Sequence, residues 1–230
     1  MRNIKNDILY EDNHLIVVNK KPSDIIQGDK TRDLPLSEIT KQYLKEKYNK
    51  PGNVFCGVVH RLDRPVSGAV VFARTSKALS RLNEMLRKHE LHKTYWAVVE
   101  RKPPNKDGKL INYLKKNPKQ NKSYVVKKST QDALRAELNY RHIASSDRYH
   151  LLEIELLTGR HHQIRAQLAH INCIIKGDLK YGAKRSNKDA SIHLHARSLS
   201  FIHPVKKVEI NIKASPPKDS IWDYFIQELA

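Results

Sequence analysis

No run of about 18 apolar residues occurs anywhere in this 230-residue sequence, which excludes an ordinary membrane-spanning helix. The opening Met1-Arg2-Asn3-Ile4-Lys5-Asn6-Asp7 lacks the apolar core of a secretory signal. Cysteine is nearly absent. Cys56 and Cys173 are too few for a disulfide framework, and both read as small core fillers among apolar neighbours. There is no H-E-x-x-H or C-x-x-C spacing, so no metal site is expected, and His193, His195, His161 and His162 read as strand and surface histidines. Neither G-x-x-x-x-G-K-S/T nor G-x-G-x-x-G appears, so no nucleotide cofactor is implied. Ser67 has no G-x-S-x-G elbow around it, which argues against serine-hydrolase chemistry.

Acidic residues are also scarce. Asp and Glu number 24 against 43 Lys and Arg, a net charge of +19. That exceeds what solubility needs and implies a polyanionic partner, RNA or DNA before an anionic membrane. With 39% hydrophobic residues the chain can build one sizeable core. The expectation is one domain over 1–230, with no separate N-terminal RNA-binding module, in a soluble cytoplasmic protein.

The patterning predicts strands at His14–Lys20, Val54–Val59, Ala69–Ala73, Tyr95–Val99, Tyr124–Lys128, Leu134–His142, Tyr149–Leu156, Ile192–Phe201 and Val208–Lys213. It predicts helices at Ser37–Tyr48, after a Thr75 cap, at His161–Ile171, and after Ser215-Pro216-Pro217. Gln27–Lys30 reads as a turn, and Arg101–Lys109 as an exposed loop. The Lys-rich stretch from Lys102 to Lys128 reads either as a solvated loop and strand edge or as an element that tunes RNA choice. Strands and helices out of strict alternation indicate an α+β fold with a mixed sheet.

The most informative stretch is His60-Arg61-Leu62-Asp63-Arg64-Pro65-Val66-Ser67-Gly68. It sets one carboxylate between two guanidiniums, surroundings that favour the ionised acid. Asp63 is therefore a candidate nucleophile or anionic ligand, and Arg61 and Arg64 suit phosphate. An isolated R-x-D-R is more often a surface ion-pair cluster, so the rest of the chain has to decide. On the predicted helix, Ile164, Leu168 and Ile171 form an apolar face. That leaves His162 and Arg165 at i, i+3 on the opposite side, as an aimed cation or as a solvated basic face. On the strand at Lys93-Thr94-Tyr95-Trp96-Ala97, Lys93 and Tyr95 point one way, and Tyr95 suits stacking on an unpaired base.

Together these segments resemble the RluA-like family of RNA pseudouridine synthases. The resemblance runs through Val18-Asn19-Lys20-Lys21-Pro22, Gln27-Gly28-Asp29, the loop at 60–68 and Lys93–Val99. It continues through Thr158-Gly159-Arg160-His161-His162-Gln163-Ile164-Arg165 and Gly177-Asp178-Leu179-Lys180-Tyr181-Gly182, covering nearly the whole chain. It implies a pseudouridine synthase catalytic domain, with a mixed, largely antiparallel sheet, peripheral helices and a central RNA-binding cleft. It implies that Asp63 is the catalytic aspartate, that Tyr95 packs against the target base and that Arg165 pairs with Asp63. It also implies that Arg61 helps displace the target nucleotide. Arg61, Arg64, Lys93, Arg160, His162 and Gln163 are the expected RNA contacts. No metal or cofactor is implied, the partner is rRNA or tRNA, and the expected state is a monomer. The chain departs from the family pattern at Val66, where Thr is common, and at Lys20-Lys21-Pro22, Ala166-Gln167 and Asn172-Cys173. Two rivals use the same charge. A silent RNA-binding protein would not need Asp63, and a metal-dependent nuclease would need clustered acids that the sequence does not show.

Overall fold

The computed structural model describes residues 2–29 and 31–230; Lys30, the last residue of the turn expected at Gln27–Lys30, lies outside the described residues. In chain order the first half contains β1 (Ile8–Glu11), β2 (Leu15–Lys20), α1 (Leu36–Lys47), β3 (Gly57–Val58), β4 (Ser67–Ala73), α2 (Ser76–Arg87) and β5 (His92–Val99). The second half contains β6 (Asp107–Asn117), β7 (Lys122–Val126), β8 (Leu134–Ser145), β9 (His150–Leu156), α3 (Gln163–His170), β10 (Leu194–Ile202), β11 (Glu209–Lys213) and α4 (Ser220–Glu228). The chain packs as two compact units: the first runs to His92 and takes in Ala196–Pro216, and the second holds Lys93–His195 and Pro217–Ala230.

In the first unit the strand order is β1-β2-β4-β10, with β3 paired to β4 and β11 to β10. The reversal from β1 to β2 is set by Asp12, whose Oδ1 accepts from the amides of His14 and Leu15 at 2.8 and 2.9 Å. β2 and β4 pair antiparallel from Leu15 opposite Ala73 to Lys20 opposite Gly68. Leu15, Val17, Ala69, Val71 and Ala73 alternate onto one face. They share a core with Leu82 of α2 and with Leu199, Phe201, Ile210 and Ile212. All seven β4 residues are buried, so both faces of this strand are covered. The expected Thr75 cap is present, with its hydroxyl accepting from the Ala78 amide at 3.1 Å. Of the apolar run from Val54 to Val59, Gly57 and Val58 form ladder.

The second unit orders its strands β5-β9-β8-β6-β7, each adjoining pair antiparallel. Trp96, Val98 and Leu151 pack against Trp222 and Phe225 of α4, which starts at the Asp219 side-chain cap. Leu114 and Ala136 pack with Ala166 of α3 and with Tyr181. Two expectations need correction. Asp107–Asn117 is a strand of 11 residues, although Asp107–Lys109 reads as loop from its turn residues; pairing with β8 overrides that local signal. Helix α3 begins at Gln163 because His162, at φ 53°, takes the left-handed conformation and cannot continue a helical turn. Among the described residues no helix is long and apolar enough to cross a membrane.

Candidate active site

In the first unit, Asp63 sits in the turn that feeds β4. The Val66 amide donates to the Asp63 carbonyl at 3.0 Å, and the Ser23 amide donates to the Arg64 carbonyl at 3.0 Å. Leu62 and Val66 are buried and anchor the turn from both sides of the half-exposed Asp63. The buried Val66 fills its place as an apolar anchor. Gly68 closes the turn at φ +118°, and a Cβ there would lie 2.5 Å from the Ala196 nitrogen, so only glycine fits. Arg61 is exposed. Arg64 is also exposed, and its guanidinium pairs with Asp33.

Beneath this turn lies a residue to which the sequence reading assigned no role. The Lys20 side chain is 1% exposed. Its ammonium donates to the carbonyls of Lys21 at 3.0 Å, Arg64 at 3.0 Å and Val66 at 2.5 Å. Three donors meet three backbone acceptors, two of them on the Asp63 turn. Burial pushes the Lys20 pKa down to about 7, against the pull of the Asp24 and Asp63 carboxylates.

In the second unit, Tyr95 is 6% exposed on β5. It lies opposite Ile154 of β9, which lies opposite Tyr140 of β8. Leu138 and Ala136 continue the same face by alternation, and Ala136 packs against Ala166 of α3. The structure therefore brings Tyr95 and the helix bearing Arg165 to one face of this unit's sheet. Lys93 shares the Tyr95 face. A side chain at Gly159 would meet its Nζ at 3.8 Å, so the amine stands beside the Thr158–Gly159 turn. Burial lowers the Lys93 pKa.

Arg165 is 5% exposed, not on a solvated basic face. Its Nε and Nη2 donate to the two carboxylate oxygens of Asp178 at 2.7 and 2.8 Å, a bidentate pair with Asp178 itself 1% exposed. Its Nη1 lies 3.0 Å from His162 Nε2, and the Tyr181 ring lies 5.1 Å from the guanidinium carbon. Because the guanidinium only donates, His162 Nε2 accepts and the imidazole proton is assigned to Nδ1, which faces the Tyr181 hydroxyl at 3.1 Å. Burial first, then the Arg165 charge, pushes the His162 pKa down to about 2, so this ring is neutral.

His162 and Gln163, expected as RNA contacts, have partners inside this unit. Both ring nitrogens of His162 are engaged within the unit, as above. Gln163 is 3% exposed; its Oε1 accepts from the Thr158 hydroxyl and the Arg160 amide, and its Nε2 donates to the Glu137 carbonyl at 2.9 Å. Gln163 thereby holds the Thr158–Arg160 turn that leads into α3. Arg160 stays exposed, and its Nε donates to the Arg135 carbonyl at 2.9 Å. Asp178 and Tyr181 lie in the Gly177–Gly182 segment, whose positive-φ glycines at both ends mark a tight turn. That was the signal available for them.

Among the described residues no group of three His, Cys, Asp or Glu side chains could hold a metal ion. Burial raises the thiols of Cys56 to about 12 and Cys173 to about 11, which suits inert core residues.

Comparison with known proteins bears directly on the chemistry. Residues 14–170 match the family model described as RNA pseudouridylate synthase. The chain is 30% identical over 240 residues to the tRNA pseudouridine synthase C of Vibrio cholerae, covering 96% of this chain and 95% of that protein. It is 31% identical over 226 residues to the ribosomal large subunit pseudouridine synthase D of Xylella fastidiosa, covering 93% of this chain and 66% of that one. Among solved structures, human RNA pseudouridylate synthase domain containing 4 matches with a TM-score of 0.80 at 22% identity, covering 98% of this chain and 94% of that one. That likeness shows the fold: α+β, with the largely antiparallel sheet of a pseudouridylate synthase.

Proposed function

The chain belongs to the RNA pseudouridylate synthase family and is an isomerase acting on RNA, and we propose that Asp63 is its catalytic aspartate, with Arg165 as the cation paired to it and Tyr95 packed against the target base. The observation that carries this reading is the Asp63 turn, a carboxylate on a loop fixed from below by the buried Lys20 ammonium. A catalytic anion needs such fixed support, because small displacements of a reacting group are costly in rate.

The reaction breaks the bond between uracil N1 and ribose C1′, rotates the base and joins C5 to C1′. A proton leaves C5 for solvent and N1 takes one up, so the product is an isomer of the substrate. Asp63 serves as the anion at the reacting nucleoside. Arg165, held by Asp178 and His162, serves as its fixed cation. Arg61 occupies the space that the displaced nucleotide leaves, and Arg64, Lys93 and Arg160 hold phosphates. Flipping a base costs least where pairing is weak, so the substrate is an accessible uridine in a structured RNA, tRNA or rRNA. The enzyme works as a cytoplasmic monomer without a metal or cofactor.

The test is tritium release from RNA labelled at uridine C5, in EDTA, with bulk tRNA and rRNA. Release by wild type and none by Asp63→Asn is the expected outcome. Release that persists in Asp63→Asn removes the aspartate from the chemistry. RNA affinity should also fall steeply between low and physiological salt.

A further inference from the structure

We propose that Asn187 and His193 are positioning residues: together they clamp the backbone at Lys176 and Gly177, from which Asp178 reaches Arg165. All of these residues lie in the second unit. Asn187 and His193 bear on the reaction through the role proposed for Arg165, on which this reading rests. The bidentate pair fixes the plane of the Arg165 guanidinium only as well as Asp178 is itself fixed. Asp178 stands in a short turn between Gly177 at φ +86° and Gly182 at φ +108°, outside any strand. A turn of that kind keeps its place through its neighbours.

Those neighbours converge on the two residues before Asp178. Residues 184–190 are exposed at every position but one, the half-buried Asn187. Its Oδ1 accepts from Lys176 Nζ at 2.5 Å, and its Nδ2 donates to the Ser191 hydroxyl at 3.1 Å and to His193 Nδ1 at 3.0 Å. A Cβ on Gly177 would lie 2.9 Å from Asn187 Cγ and 2.8 Å from the Ser191 carbonyl oxygen, so the Asn187 side chain packs directly on the glycine backbone. The main chain completes the grip. The His193 amide donates to the Lys176 carbonyl at 3.0 Å, and the Lys176 amide donates to the Val98 carbonyl at 2.9 Å.

The donor and acceptor roles follow one from another. An ammonium only donates, so the Asn187 oxygen faces Lys176 and its amide nitrogen faces His193. His193 Nδ1 must then accept, which assigns the ring proton to Nε2. That nitrogen lies 3.1 Å from Asp219 Oδ2, in a charge contact without the alignment of a hydrogen bond. The ring is 3% exposed and stacks on Trp222 of α4, with centroids 5.2 Å apart. Asp219 in turn caps that helix through the Ile221 and Trp222 amides. The charged groups around the ring are Asp219 and Asp189, which favour its protonation, and Lys176 behind Asn187, which opposes it. A proton on Nδ1 would set two donors against each other and release Asn187 from His193.

The experiment measures tritium release and amide hydrogen exchange from about pH 5.5 to pH 8 on wild type, Asn187→Leu, Asn187→Asp and Arg165→Gln. Asn187→Leu keeps much of the volume and loses the three side-chain bonds. Its kcat should fall roughly tenfold with KM within about twofold. The amides of Asp178, Tyr181 and Ala183, which close the turn, should exchange about tenfold faster. Asn187→Asp discriminates a clamp from a merely structural residue. Its carboxylate still accepts from Lys176 but needs a proton on His193 Nδ1. The ratio of Asn187→Asp to wild-type kcat should therefore rise about fivefold or more from pH 8 to pH 5.5, because acid breaks the wild-type bond and makes the variant's. A ratio independent of pH overturns the proposal, and so does unchanged exchange in Asn187→Leu with unaltered circular dichroism. Should Asn187→Leu not fold, the Asn187→Asp ratio decides alone. Wild-type kcat in Arg165→Gln defeats the role given to Arg165, while faster exchange in Asn187→Leu still upholds the clamp on the turn. Reduced kcat in Arg165→Gln beside full kcat in Asn187→Leu overturns the positioning role.

Discussion

Lys20→Met tests the physical account of the Asp63 turn. In the folded chain burial holds the Lys20 pKa at about 7, below its ordinary 10.5. The unfolded chain therefore binds a proton that the folded chain gives up as pH rises above 7, and stability rises with pH across the interval between the two values. The shift is large, and at about 1.4 kcal/mol per unit the gain between pH 7 and pH 9 is about 2 kcal/mol. Methionine keeps most of the side-chain volume but has no proton to lose. It also removes the 2.5 Å bond to the Val66 carbonyl and the bond to Arg64, at a cost of about 1–3 kcal/mol for a buried carbonyl left unpaired. Urea unfolding of wild type and Lys20→Met at pH 7, 8 and 9 should show wild type gaining about 2 kcal/mol on the variant over that range. If Asp63 is the catalytic aspartate as proposed, tritium release at pH 7 should show kcat reduced roughly ten- to a hundredfold, with KM little changed. A stability difference that is constant from pH 7 to 9 would refute the reasoning, because it would mean that the three carbonyls keep Lys20 protonated throughout.

Other substitutions probe the remaining supports. Asp178→Asn removes the charge that faces the buried Arg165 guanidinium, and thermal unfolding should show a loss of about 3–5 kcal/mol, with kcat falling in parallel. Tyr181→Phe deletes the hydroxyl bonded to Ser123 and His162 and should cost about 1–3 kcal/mol, measured by denaturant titration. Gly68→Ala forces a Cβ against the Ala196 backbone at φ +118°; the backbone strain alone is about 1–3 kcal/mol, and soluble yield should fall sharply.

Much of the fold was legible because hydrophobic period and cap chemistry agree with the tertiary packing. The strand over His14–Lys20 and the Thr75-capped helix carry that agreement in their own residues. β6 was not legible: no strand is predicted over Asp107–Asn117, Asp107-Gly108 is a turn signal locally, and the partner strand β8 makes the segment a ladder. The Asp63 turn was visible through its charges and its Pro and Gly. Lys20 was not, since a lysine at a strand end reads as exposed unless three carbonyls converge on it. Arg165 stood out by spacing, but the sequence left open whether it is an aimed cation or part of a solvated face. The apolar face of α3 suggests that the opposite side is wet, whereas the Gly177–Gly182 turn brings Asp178 and Tyr181 over it.

The two units solve the same electrostatic problem with opposite signs. In the first, Asp63, the proposed catalytic anion, stands on a turn held by the buried Lys20, and the two charges attract while Lys20 is protonated. In the second, Arg165, the proposed cation of the site, is held by a buried anion, Asp178, at hydrogen-bond distance. Each of these two charges thus has a counter-charge within its own unit. Such a partner lowers the cost of desolvating the group before substrate arrives, because an isolated buried ion is far more expensive than a paired one. It also fixes direction: the bidentate Asp178 pair orients the Arg165 plane, and the carbonyls gathered by Lys20 orient the main chain on either side of Pro65. A reaction that proceeds by electrostatic positioning needs such fixed charges. On that proposal the buried Lys20 and Asp178 are as much part of the design as Asp63 and Arg165.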